Sequence, residues 1–301
     1  MADPILKAAM SPLADPVVSA IFANAEVAGL AAASLVRVTM EADGSALTGS
    51  IVSVTPQRSH ISVGERGCRI DIEIMTDTDE RVIIEVQVDP DSDIMQRSLL
   101  SSSHIYTETS RVGSTSAEMA AGMPRVIMIN ILSYNLRKDN KDVLQPYKIM
   151  YTKPPQTVAL PQFCGYNIQL PRLAGMEPDF TSGLYCWYFT LYTAHFKGKS
   201  IEEVIAMNPQ LQAYAQQDTG YRQFCEQYNL VAADAQARHE YYLWVKDKMR
   251  VAGERKWIRE EGREEGREET IKKMVHAGID AAVIAAALSL TDTEINKYLE
   301  A

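Results

Sequence analysis

The chain has 301 residues, 46% apolar and 23% charged, which are ordinary proportions for a globular protein with a sizeable core. Its net charge of -9 argues against indiscriminate coating of nucleic acid, which needs a basic footprint, though not against a local positive track. Four scattered cysteines (Cys68, Cys164, Cys186, Cys225) and five dispersed histidines lack zinc-ligand spacing and point to reduced, buried thiols in a cytoplasmic protein; no basic leader or long apolar run indicates a signal peptide or a membrane span.

Residues 1–14 read as a loose leader. Asp15-Pro16 fits a helix start, with Asp as N-cap and Pro in the first turn, and Val17–Met40 is expected to be largely helical. Gly29 marks a packing contact or a break. Ile51–Val54 and Ser59–Val63 read as short strands, and Arg58, Arg66 and Arg69 precede the most informative stretch. That stretch, RIDIEIMTDTDERVIIEVQV from Arg69 to Val88, reads as two strands joined by a polar turn.

Counting fixes the parity of this hairpin. Residues opposite one another in an antiparallel pair share a face, so their numbers have a constant sum. A two-residue turn at Thr78-Asp79 makes the sum odd and splits both apolar rows. An even sum needs an odd loop, Asp77–Asp79 for example, or a bulge. It places Ile70, Ile72 and Ile74 on one face with Ile84, Val86 and Val88, and gathers Asp71, Glu85 and Gln87 on the other. Adjacent carboxylates repel, so this face is either wet or shares a divalent cation such as Mg²⁺, which prefers oxygen ligands.

Asp93 is placed to cap a helix from Ile94 to about Thr109, on which Arg97 and His104, seven apart, share a face. An i,i+4 pair with Asp93 is the plainer role for Arg97, and a satisfied surface position the plainer one for His104. Val126–Leu132 is nearly continuous apolar sequence, expected as a strand buried on both faces and joined to the hairpin by a βαβ crossover. Tyr147–Tyr151 and Tyr166–Leu170 read as further strands between prolines.

From about Thr181 the pattern becomes helical. Ser200-Ile201-Glu202-Glu203 has capping-box form, and Trp187, Tyr188, Tyr192, Tyr241, Tyr242 and Trp244 sit at helical spacing as core rather than as a base-stacking platform. Glu254–Glu269 carries opposite charges four apart and reads as a solvated helix. Ile271–Leu299 forms a small helical module whose VIAAALSLTDTEI run has a faint likeness to a helix-turn-helix; few basic residues line it, so oligomerisation is the preferred role.

Asp71, thirteen intervening residues and then Glu85-Val86-Gln87 together resemble the PD-(D/E)XK nuclease core, in the variant with Gln last that is similar to the recombination-promoting nuclease (Rpn) or putative transposase family. The likeness continues through Arg97–Tyr106, Met123–Leu136, Leu170-Pro171-Arg172-Leu173 and the Glu/Arg/Gly-rich tail. It implies an α/β, restriction-endonuclease-like core with a mixed central sheet flanked by helices, plus a C-terminal helical region. The expected organisation is a core over 1–180, a helical extension over 181–253, a charged spacer over 254–270 and a module over 271–301.

The resemblance further implies Mg²⁺-dependent hydrolysis of DNA phosphodiesters, with Mn²⁺ or Ca²⁺ as alternative ions. Asp71, Glu85 and the Val86 carbonyl are the implied metal ligands, and Gln87 stands where many relatives have Lys. Arg97 and His104 are candidates for phosphate contact, as are Arg58, Arg66 and Arg69, for which solvated loop charge is the plainer reading. The superfamily's N-terminal helix often lends an acid; Glu26 is the acid within that run, with a solvent-facing position as the competing reading. DNA is the implied partner, a homodimer or higher homo-oligomer the expected assembly, and no membrane is involved. Gly113–Gly122 departs from the family's Gly-x-x-Tyr pattern. That leaves two other classes open: a nuclease-like scaffold that binds DNA or protein without cutting, and a DNA-binding module driven by the C-terminal helices.

Overall fold

The computed structural model describes residues 9–60, 68–90, 93–109, 115–137, 139–291 and 295. They divide into two compact units, residues 1–242 and 243–301.

The first unit is built on a six-stranded mixed sheet, β1 (Ile51–His60), β2 (Cys68–Thr76), β3 (Arg81–Gln87), β4 (Val126–Leu132), β5 (Leu144–Lys148) and β6 (Phe163–Gln169), in the order β1-β2-β3-β4-β6-β5. β3, β4 and β6 are mutually parallel, and the three remaining strand pairings are antiparallel. Parallel neighbours require a crossover, and the segment between β3 and β4 supplies it as helix α3 (Ile94–Thr109) followed by the short α4 (Ser116–Ala121). The expected α/β core with a mixed sheet is therefore present. β5 lies at the edge, where Pro146 removes no central ladder bond.

The hairpin has the even register that burial demands. Ile72 pairs with Ile84, Glu73 with Ile83, Ile74 with Val82 and Met75 with Arg81. The loop is Asp77–Asp79, closed by Thr76 N–H to the Glu80 carbonyl at 3.0 Å and by Asp79 N–H to the Thr76 carbonyl at 3.1 Å. Asp79 adopts φ 62°, a left-handed conformation that Asp tolerates better than most residues.

One element of the predicted parity is overturned. Ile70 packs with Ile83, Ile105, Val126, Met128 and Phe163 under α3, while Ile72, Ile84, Val86 and Ile131 face the opposite layer. The cause lies next door in β1. Gln57 stands opposite Asp71 with φ 52°, and the β1–β2 ladder records pairs on either side, Pro56–Ile72 and Arg58–Ile70, but none at this point. A left-handed residue in a strand turns its neighbours over, so the alternation changes phase at Asp71. The two short strands expected over Ile51–Val63 are one strand to His60, and residues 61–67 lie outside the described residues.

The opposite layer begins with α1 (Asp15–Phe22) and α2 (Ala25–Glu41). Asp15 is the first helical residue of α1, and the N-cap is Ala14, which offers no side-chain cap. The expected single helix is broken at Ala23-Asn24, where the axis turns by 110°. Asn24 causes the restart by accepting the Glu26 N–H at 3.2 Å, and α2 then runs straight through Gly29. Helices α5 (Gly183–Lys197), α6 (Ile201–Ala206), α7 (Pro209–Gln217) and α8 (Thr219–Ala233) complete the layer. The Ser200–Glu203 capping box is formed in both directions. Gly220 lets α8 lie against α2: a Cβ there would stand 2.2 Å from the Leu30 carbonyl oxygen. Trp187 and Tyr188 are fully buried in this layer, as core aromatics should be.

In the second unit, α9 (Ala235–His276) contributes its later turns and α10 (Ala281–Leu288) packs back on it through Ile271, Ile284 and Ala285, in a cluster that Ile295 joins. The charged stretch is an exposed helix with i,i+4 pairs such as Arg250–Glu254 at 2.6 Å and Lys273–Glu269 at 2.7 Å. Among the described residues no single helix is long and apolar enough to cross a membrane. Cys164, Cys186 and Cys225 are free and buried.

Candidate active site

The hairpin strands part at Asp71. Because the ladder stops there, the Val86 N–H has no strand partner across the gap, and the Asp71 carboxylate fills the place: Oδ2 accepts that N–H at 2.8 Å. Glu85 is the next residue back along β3. It is buried among α3, β4 and the hairpin, and its carboxyl is pushed up to about 8. Burial is the main cause and the charge of Asp71 the second; Arg97, the Asp71 N–H and the Gln87 side chain act in the opposite direction.

Arg97, on the first turn of α3, reaches both acid-strand residues. Its Nη2 lies 4.0 Å from Glu85 Oε2, and its Nη1 donates to Gln87 Oε1 at 3.3 Å. The fold thus brings Asp71, Glu85, Gln87 and Arg97 together. His104 is half-buried on the same helix, two turns from Arg97 and so about 10 Å along the axis. Arg58 is engaged by Glu73 at 3.0 Å and Glu108 at 3.3 Å. Arg66 and the side chain of Arg69 lie outside the described residues. Glu26 is exposed.

Several residues at the site carry no sequence signal of their own. Glu73, 2% exposed, is held by Arg58 at 3.0 Å and Arg81 at 3.2 Å, so it is a neutralised ion pair. Asp15 of α1, read from sequence only as a cap, lines a small pocket with Val18, Gln57, Asp71 and Val86. Asn130 breaks the otherwise apolar β4. It is 0% exposed, stands beside Glu85 in register, and donates to Asn167 Oδ1 at 2.8 Å and to Ser98 Oγ at 3.1 Å. A parallel register is not set by a short turn, so this neighbour could not be found by counting.

The donor set suits a hard cation: two carboxylates and the strand carbonyl at Val86, all oxygen. Burial and the charge of Asp71 raise the Glu85 carboxyl more than Arg97 at 4.0 Å lowers it. Among the described residues no group of three or more His, Cys, Asp or Glu is arranged to hold a metal, so the acids in the set are these two.

Comparisons with curated proteins and with solved structures found no significant match. A comparison with protein families matches residues 53–250, more than half of the chain and including the whole of this cluster, to the family described as PD-(D/E)XK nuclease family transposase. The chain, with its splayed hairpin and its Asp71, Glu85 and Gln87, therefore belongs to the PD-(D/E)XK nuclease family of transposase-like proteins.

Proposed function

We propose that the protein is a metal-dependent DNA endonuclease, linked through its family to recombination or mobile elements. The observation that carries this reading is the approach of Asp71 to a buried Glu85 at the point where the hairpin opens. Asp71 and Glu85, with the Val86 carbonyl, are the residues that would hold Mg²⁺, or Mn²⁺ or Ca²⁺ in its place. When bound, such an ion lowers the pKa of water and offsets charge on the phosphate.

The chain's own groups do the rest. Asp71 is oriented by the Val86 N–H, which fixes its carboxylate at the gap in the hairpin. Gln87 does not titrate; it links Glu85 to Arg97 and keeps both in place. Arg97 binds a non-bridging phosphate oxygen through its guanidinium, with His104 placed for a phosphate farther along the strand. The test is cleavage of plasmid and linear duplex DNA with each ion and with chelator. Asp71→Ala and Glu85→Ala abolish cutting, and Gln87→Ala reduces it strongly. Undiminished Mg²⁺-dependent cutting by Asp71→Ala ends the assignment.

A second reading, a nuclease-like scaffold that binds DNA or a partner without cutting, is favoured by the small acid set. Purified protein that binds duplex DNA and metal but never cuts would establish it. For the assembly, we propose a homodimer or higher oligomer formed through the C-terminal unit, where Trp257 and Ile258 are each at least 60% exposed. Sedimentation of full-length protein and of a chain lacking residues 254–301 tests this: loss of dimers with retained cutting places assembly in the tail and chemistry in the core.

A further inference from the structure

Glu85 begins a row of polar side chains that crosses the sheet at one level. It pairs in register with Asn130, Asn130 with Asn167, and Asn167 with Gln145 on the edge strand. Directly paired residues share a face, so four polar groups lie side by side across the sheet. Burying amides costs free energy unless each is bonded. Asn130 and Asn167 are bonded to each other at 2.8 Å, and Asn130 also donates to Tyr147 Oη at 3.3 Å. The last member is not satisfied: the Gln145 Nε2 is shut off from solvent and has no acceptor.

Gln145, Asn167, Tyr147, Met95, Arg137 and Asn140 are among the residues that line an open cleft of about 720 Å³. Its size is that of a small-molecule site. Met95 and Arg97 sit two residues apart on the first turns of α3, so this end of the helix separates the cleft from the Asp71–Glu85 cluster. Two strand spacings separate Glu85 from Asn167, about 10 Å, which a nucleic-acid strand covers in one or two nucleotides.

We infer that this cleft is a base-binding subsite, which takes one unstacked nucleotide of the DNA strand beside the scissile phosphate and reads a purine, adenine first, through Gln145. The inference rests on the reading of DNA as substrate. A rotation about the last side-chain torsion of Gln145 turns its amide into the cleft. A carboxamide meets adenine at two points, its NH₂ donating to N7 and its oxygen accepting from N6. The Tyr147 ring offers an aromatic wall, and the Arg137 guanidinium, which Asp139 holds at 2.7 Å, lies at the rim. Opening the stack costs free energy, which a preformed polar cleft offsets.

The experiment is titration of full-length protein with dAMP, dGMP, dCMP and TMP in chelator, where no metal-dependent cutting occurs. Saturable binding of dAMP at least tenfold tighter than of dCMP or TMP is expected. Gln145→Leu should lower dAMP affinity at least tenfold without lowering Tm, because it removes a buried unpaired donor. Gln145→Ala, which enlarges the cleft, should lose the same binding. No saturation by any of the four below about 10 mM, or unchanged dAMP binding by both variants, overturns the inference. Nucleotide binding in a protein that never cuts leaves the subsite standing and removes the endonuclease; metal-dependent cutting with no effect of Gln145 on binding does the reverse.

Discussion

Two buried acids in one domain behave oppositely. Asp218, at the N-cap of α8, accepts from Ser34 at 2.6 Å, Arg37 at 2.6 Å, Tyr214 at 2.8 Å and the Tyr221 N–H at 2.9 Å. Burial opposes its charge, yet these partners together hold its pKa below the usual carboxylate range. Glu85 is as little exposed but more deeply desolvated; the charge of Asp71 adds to that burial, Arg97 at 4.0 Å offsets only part of it, and the pKa moves up. The lesson is that burial alone does not mark a working acid. The direction of the shift follows from how far the partners that the fold supplies offset burial and like charge.

The sharpest break in the comparison is functional. Glu85→Ala should cost cleavage on the order of a thousandfold or more, measured as initial rates on plasmid DNA, whereas Asp218→Asn should act through stability and leave the rate of the remaining folded protein within a fewfold. Next in size, Asp218→Ala strips Arg37, Ser34 and Tyr214 of a common acceptor and should destabilise by roughly 3–5 kcal/mol in denaturant titration.

Opposite in sign, Glu85→Gln should stabilise the metal-free protein, by more at pH 8 than at pH 5, in denaturant titration. The folded-state pKa of Glu85 is raised, so its favourable contribution is complete below about pH 4.5 and is lost as pH rises through about 8. The amide pays no such penalty, so the gain should grow across that window. For Asp218 the folded-state pKa is depressed, so its contribution is present at neutral pH and lost on acidification below the ordinary carboxylate range. Added Mg²⁺ should raise the Tm of the wild type and leave Glu85→Gln nearly unmoved; equal shifts would detach the ion from this site. The smallest effect belongs to Gln57, whose left-handed backbone carries a strain of about 1 kcal/mol. Gln57→Gly should relieve up to that amount, and Gln57→Val should deepen it, read as Tm.

The hairpin was the most legible part of the sequence because its turn fixes its register. Three loop residues and an even sum follow from keeping Ile72, Ile74 and Ile84 dry, and the Asp77–Asp79 loop has that form. What escaped were features set by distant chain. The phase change at Ile70 comes from Gln57, which nothing in an Arg/Ser/Gln-rich strand announces. The break between α1 and α2 falls at Asn24, whose capping bond outweighs the more conspicuous Gly29. Asn130 was hidden in a run of Val, Ile, Met and Leu, and its role emerges only once parallel neighbours place Glu85 and Asn167 on either side. Asp71, Glu85 and Gln87 could be named in advance, since they lie within one hairpin; Asp15 and Gln145 reach the region through tertiary contacts.

The close approach of α8 to α2 at Gly220 also bears on how this protein can be dissected. Trp187 donates to Ser34 at 2.9 Å and Tyr188 shares a proton with Thr39 at 2.6 Å, so residues far along the chain act as mortar for its first helices. A shortened version that stops before Gly183 would strip the wall from behind the Asp71–Glu85 hairpin. A shortened version that keeps this support should end beyond Tyr242.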